Sequence, residues 1–270
     1  MRPIDRLPEA LRPQEGRIHT IAHRGDSSAA PENTIAAFDA AVAAGSDLIE
    51  IDLRRTADGA AAVIHDASAL RTTGIDAAVA TIRSDELGAA DAGSWFAPAF
   101  AGARVPMFGE VAEWGAAQPD VGWLVEFKGR WSAADLAGPV AAIRDHGLAD
   151  RTILQSFEPD TVAAAQVAAP DLPRALLVYG RQDPDLLLER LRALEAAGCN
   201  PIGQLPNEMP GLAGRLRDAA YSVFPWTLDE PDEWGAAAGA GVDGVITNRP
   251  GQFRTWHAQR WSPVREPALA

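Results

Sequence analysis

The 270-residue sequence contains a single cysteine, Cys199. One thiol excludes an intrachain disulfide framework and any cysteine-rich zinc site, and it suits a reducing, cytoplasmic compartment. Long apolar runs are also missing. No stretch approaches the roughly 18 uninterrupted apolar residues of a spanning helix, and the opening MRPIDRLPEALRPQEG has no apolar run behind its basic residues. The expectation is a soluble protein, not exported and not stably inserted in a membrane. Positive charge is scarce as well: 24 Lys and Arg face 37 Asp and Glu, a formal net charge of −13. Nucleic acids and anionic membranes are recognised through excess Lys and Arg, so a general surface for either is excluded. A small phosphate-bearing substrate stays open, because a bound cation can reverse the local field. Oligomeric state leaves no signal.

With 47% hydrophobic residues the chain can build a sizeable core. Short apolar runs alternate with helical patterns, the signature of repeated βα units on a parallel sheet. Strands are expected near Ile18 to Ala22, Asp47 to Leu53, Trp123 to Phe127, Thr152 to Gln155, Arg174 to Tyr179, Asn200 to Gln204, Ser222 to Trp226 and Val242 to Ile246. Helices fit Thr34 to Ala44, Ala133 to Asp145, Pro159 to Val167 and Pro184 to Ala196, with Gly45, Gly147 and Gly198 as C-terminal stops. Eight such units predict an α/β protein, a single (β/α)8 TIM barrel over residues 18–256, with an open doubly wound sheet as the alternative. Residues 67–105 break the rhythm and read as a small insertion at the barrel mouth after the second-strand hairpin. Residues 1–17 read as a surface extension, and 257–270 as a C-terminal tail.

Chemistry concentrates in LIEIDLRRTADGAAAVIHD, residues 48–66. Side chains alternate along a strand, so Glu50 and Asp52 share a face, with Cβ atoms roughly 7 Å apart. Asp58-Gly59 is a hairpin signal; a two-residue turn there sets Ala57 opposite Ala60 and Asp52 opposite His65. His23 ends the first strand, where a parallel barrel presents its catalytic loops. Glu126 ends the third, with Lys128 on the same face. Three oxygen-donating carboxylates, Glu50, Asp52 and Glu126, suit one hard divalent cation, Mg²⁺ or Ca²⁺ with Mn²⁺ as a further option. His23 and His65 suit acid–base work near neutral pH, while Arg24 and Lys128 supply positive charge for an anion. Together they indicate metal-assisted cleavage of a phosphoester. Asn33 and Thr34 read as helix caps without chemistry, Asp66 as a residue closing a turn, and Trp95 and Phe96 as anchors of the insertion.

On these residues the sequence resembles the glycerophosphodiester phosphodiesterase family, within the wider phosphatidylinositol-phospholipase-C-like barrels. The matching pieces include HRG at 23–25, PENT at 31–34, EID at 50–52, TADG at 56–59, HD at 65–66, LRTTG at 70–74, VEFK at 125–128, QSFEPDT at 155–161 and GVDGVITNRP at 241–250. The resemblance implies His23 and His65 as the acid–base pair, Glu50, Asp52 and Glu126 as metal ligands, and Arg24 and Lys128 as phosphate contacts. It also implies a small glycerophosphodiester as substrate, hydrolysed to glycerol 3-phosphate and an alcohol. Trp226 is either an apolar wall for the glycerol moiety or a packed strand-end aromatic. VPMFGE at 105–110 and WTLDE at 226–230 depart from the family's usual IPTLEE-like and WTVN stretches, and the second lies near the mouth. Competing readings are a lysophospholipase-D-like or cyclising phosphodiesterase on lipids, and a non-catalytic phosphate-binding barrel.

Overall fold

Apolar runs that are buried on both faces cannot sit at a sheet edge, and in the computed structural model they form eight parallel strands wrapped into a nearly closed barrel with helices between them. The structure describes residues 1–14, 16–204 and 208–261. The strands are β1 (His19–His23), β2 (Leu48–Arg55), β3 (Ala61–Val63), β4 (Gly122–Phe127), β5 (Thr152–Ser156), β6 (Arg174–Val178), β7 (Gly198–Pro201), β8 (Ser222–Val223) and β9 (Gly244–Thr247). Their order is β8-β7-β6-β5-β4-β2-β1-β9, and β3 folds back antiparallel on β2 outside the barrel path. Between β8 and β9 the ladder thins to single bonds. Asp243 N–H donates to Val223 O, Ile246 N–H to Pro225 O and Leu228 N–H to Ile246 O, each at 3.0 Å.

Several boundaries differ from expectation for identifiable reasons. The strand predicted at Ser222 to Trp226 stops at Val223, because Pro225 lacks a donor for the ladder; Trp226 retains only an isolated bridge to Ile202. The strand predicted from Asn200 starts earlier, at Gly198. Gly198 is therefore not a helix stop: a Cβ there would overlap the Ser222 side chain, so the glycine serves close strand contact. The predicted two-residue hairpin turn is a three-residue loop, Ala57 to Gly59, closed by Thr56 N–H to Ala60 O at 2.9 Å. Gly59 takes the left-handed conformation, φ +82°, which a three-residue connection needs. The register shifts by one, so Ile64 N–H, not a group of His65, pairs with Asp52 O at 2.9 Å.

The stretch expected as a surface extension sends two side chains into the barrel. Leu7 and Leu11, 1% and 4% exposed, pack on Ile21, Leu48, Leu124 and Phe224 of the barrel interior. The parallel strands leave this interior layer open at their N-terminal ends, and two leucines presented by short 3-10 turns close it. Burying each contributes roughly 1.5–3 kcal/mol. At the other end of the chain, residues 257–261 continue the helix Pro250–Trp261 instead of starting a tail, and 262–270 lie outside the described residues. The insertion at 67–105 carries its own apolar cluster, including Ala69, Val79, Ile82, Leu87 and Val105, seated on the β2–β3 hairpin through Ala62 and Ile64. Among the described residues no helix is long and apolar enough to cross a membrane.

Asp243 stitches the barrel's weakest seam, accepting from Val223 N–H at 2.9 Å. Burial pushes its pKa up to about 6, against the pull of that hydrogen bond and of Arg217. The folded state therefore holds this proton more tightly than the unfolded chain. Its contribution to stability is fully present below pH 4 and lost as pH rises through 6, by at most about 3 kcal/mol. Asp243→Asn keeps an acceptor for Val223 and removes the titration. Denaturant unfolding should show the variant gaining on the wild type between pH 4.5 and 7.5.

Candidate active site

The mouth is built where β1, β2 and β4 run side by side. Ladder register places His23 beside Glu50, Asp52 beside Glu126, and Glu126 beside Gln155. Glu50, Asp52 and Arg54 share the inward face of β2 through strand alternation. After His23 the chain turns sharply: Arg24 has φ +59° and Gly25 +82°. A Cβ on Gly25 would sit 2.6 Å from the backbone carbon of Ala37, so the loop lies flat on the helix Ile35–Ala43. Arg24 and Asn33, φ +58°, hold a conformation uncommon for side-chain-bearing residues. Both are fixed by the carboxylates they serve.

One ligand atom from each of Glu50, Asp52 and Glu126 lies within 4.8 Å of the others, and all three residues are buried. Asp52 is held most firmly. Asn33 Nδ2 donates to its Oδ2 at 2.8 Å, Arg24 Nε lies 3.3 Å from the same oxygen, and Lys128 Nζ lies 3.1 Å from Oδ1. Lys128, the chain's only lysine, also reaches Glu126 at 2.9 Å. Burial alone would raise the Asp52 pKa, but Lys128 and Arg24 overcome it and hold the carboxylate well below its usual range. Glu126 moves the other way, to about 7, through burial and the charge of Asp52. Burial and the same neighbours raise Glu50 strongly. Asp52 Oδ1 and Glu126 Oε1 are buried with no well-directed hydrogen-bond donor. Three converging carboxylates, two of them with an oxygen that lacks a well-directed donor, fit a hard divalent cation and no thiophilic one.

Each histidine is oriented through Nδ1. His23 Nδ1 lies 2.7 Å from Asn248 Oδ1, an acceptor, so Nδ1 carries the proton and Nε2 is bare in the neutral ring. Asn248 is held in that orientation from both sides. Ser27 Oγ donates to its Oδ1 at 2.8 Å, and its Nδ2 donates to Asp229 Oδ2 at 2.6 Å. Burial first, then the positive charge of Arg24, pushes His23 down to about 4. His65 Nδ1 lies 2.7 Å from Asp66 Oδ1, and burial lowers its pKa against the attraction of Asp52. Asp66 accepts from Arg71 Nε at 2.6 Å; Arg71 grips Glu32 at 2.7 and 2.8 Å; Glu32 accepts from Arg24 at 2.8 Å. The insertion that carries Arg71 is thereby tied to both histidine and arginine sides of the site.

These groups open into a cavity of about 280 Å³. Of the eight residues expected from sequence, seven line it: His23, Arg24, Glu50, His65, Glu126, Lys128 and Trp226. Asp52 lies beneath the cavity, 1% exposed. Trp226 is both a cavity-lining and a packed side chain. It stands in the apolar wall with Phe157, Leu177 and Ile246, and it is packed, edge-on to Phe157 with centroids 5.2 Å apart. Thr34 caps its helix as expected, accepting from Ala37 N–H at 3.3 Å. Asn33 does not; its amide serves Asp52. Asn248, Asp229, Glu32 and Arg71 also belong to the site, and only Asn248, at the end of a barrel strand, carries a local signal of it; Asp66, expected to close a turn, instead orients His65.

The model of the glycerophosphoryl diester phosphodiesterase family matches residues 23–252. A glycerophosphodiester phosphodiesterase of Caldanaerobacter subterraneus subsp. tengcongensis is 35% identical over 235 residues, 85% of this chain and 93% of that protein. The crystal structure of the glycerophosphodiester phosphodiesterase from Agrobacterium tumefaciens superposes with a TM-score of 0.76 at 29% identity, covering 88% of this chain and 100% of that one. An Oleispira antarctica phosphodiesterase, solved in complex with the product sn-glycerol-3-phosphate, gives 0.79 at 26% identity over 87% of this chain and 95% of that one. The chain belongs to the glycerophosphoryl diester phosphodiesterase family and is an enzyme of that phosphoric diester hydrolase class.

With Glu126 at about 7 and Glu50 also raised, the carboxylate triad retains a proton at neutral pH that a cation, to bind there, would have to expel. Calorimetric titration with Mn²⁺ should show affinity rising from pH 6 to pH 8, with heats that depend on the ionisation enthalpy of the buffer. In Glu126→Gln the affinity should fall at least tenfold and the buffer dependence shrink.

Proposed function

We propose that the protein hydrolyses water-soluble glycerophosphodiesters to glycerol 3-phosphate and the free alcohol, using His23 and His65 for proton transfer and a divalent cation held by Glu50, Asp52 and Glu126. The observation that carries this reading is the pair of Nδ1-anchored imidazoles lining one cavity with the three converging carboxylates. The family's activity and the glycerol phosphate bound by the Oleispira relative supply the substrate class. When bound, the cation would polarise a phosphoryl oxygen and offset the charge of the diester.

The chain's own groups do the rest. Arg24 and Lys128 stand on the cavity wall with positive charge for the non-bridging oxygens. His23, with Nε2 bare and a neutral amide behind it, is placed to take a proton from water or from the glycerol 2-hydroxyl. His65, backed by the Asp66 carboxylate, is placed to carry a positive ring and give its proton to the departing alkoxide. The apolar wall of Trp226, Phe157 and Leu177 suits the carbon backbone of glycerol. Asn248 acts through His23 as a positioning residue, holding the tautomer that leaves Nε2 free.

Metal-stripped protein should release glycerol 3-phosphate from glycerophosphocholine, glycerophosphoethanolamine, glycerophosphoglycerol or glycerophosphoinositol only after Mg²⁺, Ca²⁺ or Mn²⁺ is restored. His23→Ala and His65→Ala should each lower kcat by about 10²–10⁴ with an unchanged circular dichroism spectrum. A folded sample that is silent on every diester with every ion would overturn the assignment. For Asn248→Ala we expect a smaller loss, about 10- to 100-fold in kcat with KM nearly constant; a pure KM effect would place Asn248 in substrate binding instead.

A further inference from the structure

A second recess lies on the other side of Lys128, between the β2–β3 hairpin and the insertion, with a volume of about 460 Å³. Its charged lining is Arg54, Arg55, Lys128 and Arg130, without a carboxylate among the lining residues. In a chain of net charge −13, four cations around one recess call for an explanation. Three of them have anionic partners. Arg55 Nη1 pairs with Asp135 at 2.9 Å, Arg130 Nη1 with Asp160 at 3.1 Å, and Lys128 with Asp52 and Glu126.

Arg54 is the exception. It is half-buried, no carboxylate of the described residues lies within 4 Å of its guanidinium, and its single hydrogen bond runs from Nε to His65 O at 2.6 Å. Both terminal nitrogens are left without a protein partner among the described residues. A guanidinium fork anchored at one edge, with its other edge presented to a recess, is the arrangement that grips a phosphate or carboxylate in two-point fashion. Strand alternation places Arg54 on the same inward face as Glu50 and Asp52, one step further out along β2. Lys128 lines both the catalytic cavity and this recess, so the two are neighbours.

We propose that this recess is a head-group subsite that selects diesters whose leaving alcohol carries a second anionic group, a phosphate above all, with Arg54 as its principal contact. The proposal rests on the hydrolase reading of the cavity, since it places the scissile phosphate on one side of Lys128 and the head group's own anion on the other. Choline, a fixed cation, would meet the same cations at a disadvantage.

The test compares glycerophosphoinositol with glycerophosphoinositol 4-phosphate, which differ only by the extra phosphate, and adds glycerophosphocholine. Wild type should turn over the phosphorylated diester with kcat/KM about tenfold higher than its parent, a gap that closes in 0.5 M salt. Arg54→Gln should abolish the preference, lowering kcat/KM for the phosphorylated diester about tenfold more than for glycerophosphoinositol, and Arg54→Lys should restore part of it. Equal kcat/KM for the two inositol diesters in wild type, or an equal loss on both in Arg54→Gln, would overturn the proposal. The second result would show that Arg54 only supports the His65 backbone. Binding of inositol 4-phosphate, measured calorimetrically and compared with inositol and with inorganic phosphate, separates this proposal from failure of the hydrolase reading. Inositol 4-phosphate binding that Arg54→Gln removes would support the subsite even in a protein that cleaves no diester. Inorganic phosphate binding equally well and through the same residue, without any substrate preference, would reduce the site to a free-anion site and overturn it.

Discussion

Asp52 is the residue on which the mouth of this barrel depends. A buried, unpaired carboxylate would cost several kcal/mol or would protonate. Here Asn33, Arg24 and Lys128 converge on its two oxygens, and its backbone carbonyl accepts the hydrogen bond that starts the β2–β3 hairpin. The unusual backbone at Arg24 and Asn33 follows from that demand, since both loop residues must turn back toward β2. So does the division of labour among the acids. With Asp52 kept ionised, its negative charge raises Glu126 and Glu50, which hold protons until something more positive displaces them.

A second consequence concerns the insertion. It is not a passive flap, because Arg71 joins Asp66, and through it His65, to Glu32, and Glu32 joins Arg24. Arg71 also lies 5.7 Å over the ring of Trp95. The segment's own apolar cluster seats it on the β2–β3 hairpin through Ala62 and Ile64. Orientation of one cavity histidine is therefore set by an excursion that leaves the βα rhythm, and orientation of the other by the end of β9.

Much of this was legible in the chain. Strand alternation alone puts Glu50 and Asp52 on one face, and barrel topology brings β1, β2 and β4 together, so the carboxylates, histidines and cations group together from the sequence. What escaped were relations that local pattern does not carry. The hairpin register turned on whether Asp58-Gly59 closes a two- or a three-residue loop, a choice set by Thr56 bonding to Asp58 and by the packing of the insertion rather than by the dipeptide. Asn33 carried every sign of a helix cap, yet its side chain answers to an acid nineteen positions away. Leu7 and Leu11 sat among prolines and charges that read as surface, because the open floor they cover exists only once the barrel has closed. Asp229 and Asn248 lie 19 residues apart and meet only across the seam between the last two strands.

The presence of one lysine in the whole chain has a practical corollary. Lys128 is only 11% exposed and stands between the two recesses, so the sole ε-amine available to acylating or aldehyde reagents is the one at the mouth. Every other basic side chain on the surface is arginine or histidine, which such reagents largely spare. Coupling of a fluorophore or a resin to a lysine of this sequence would thus fall on Lys128 and fill the mouth. A lysine label on this chain is consequently a cavity-directed probe, and peptide mapping of one position reveals it.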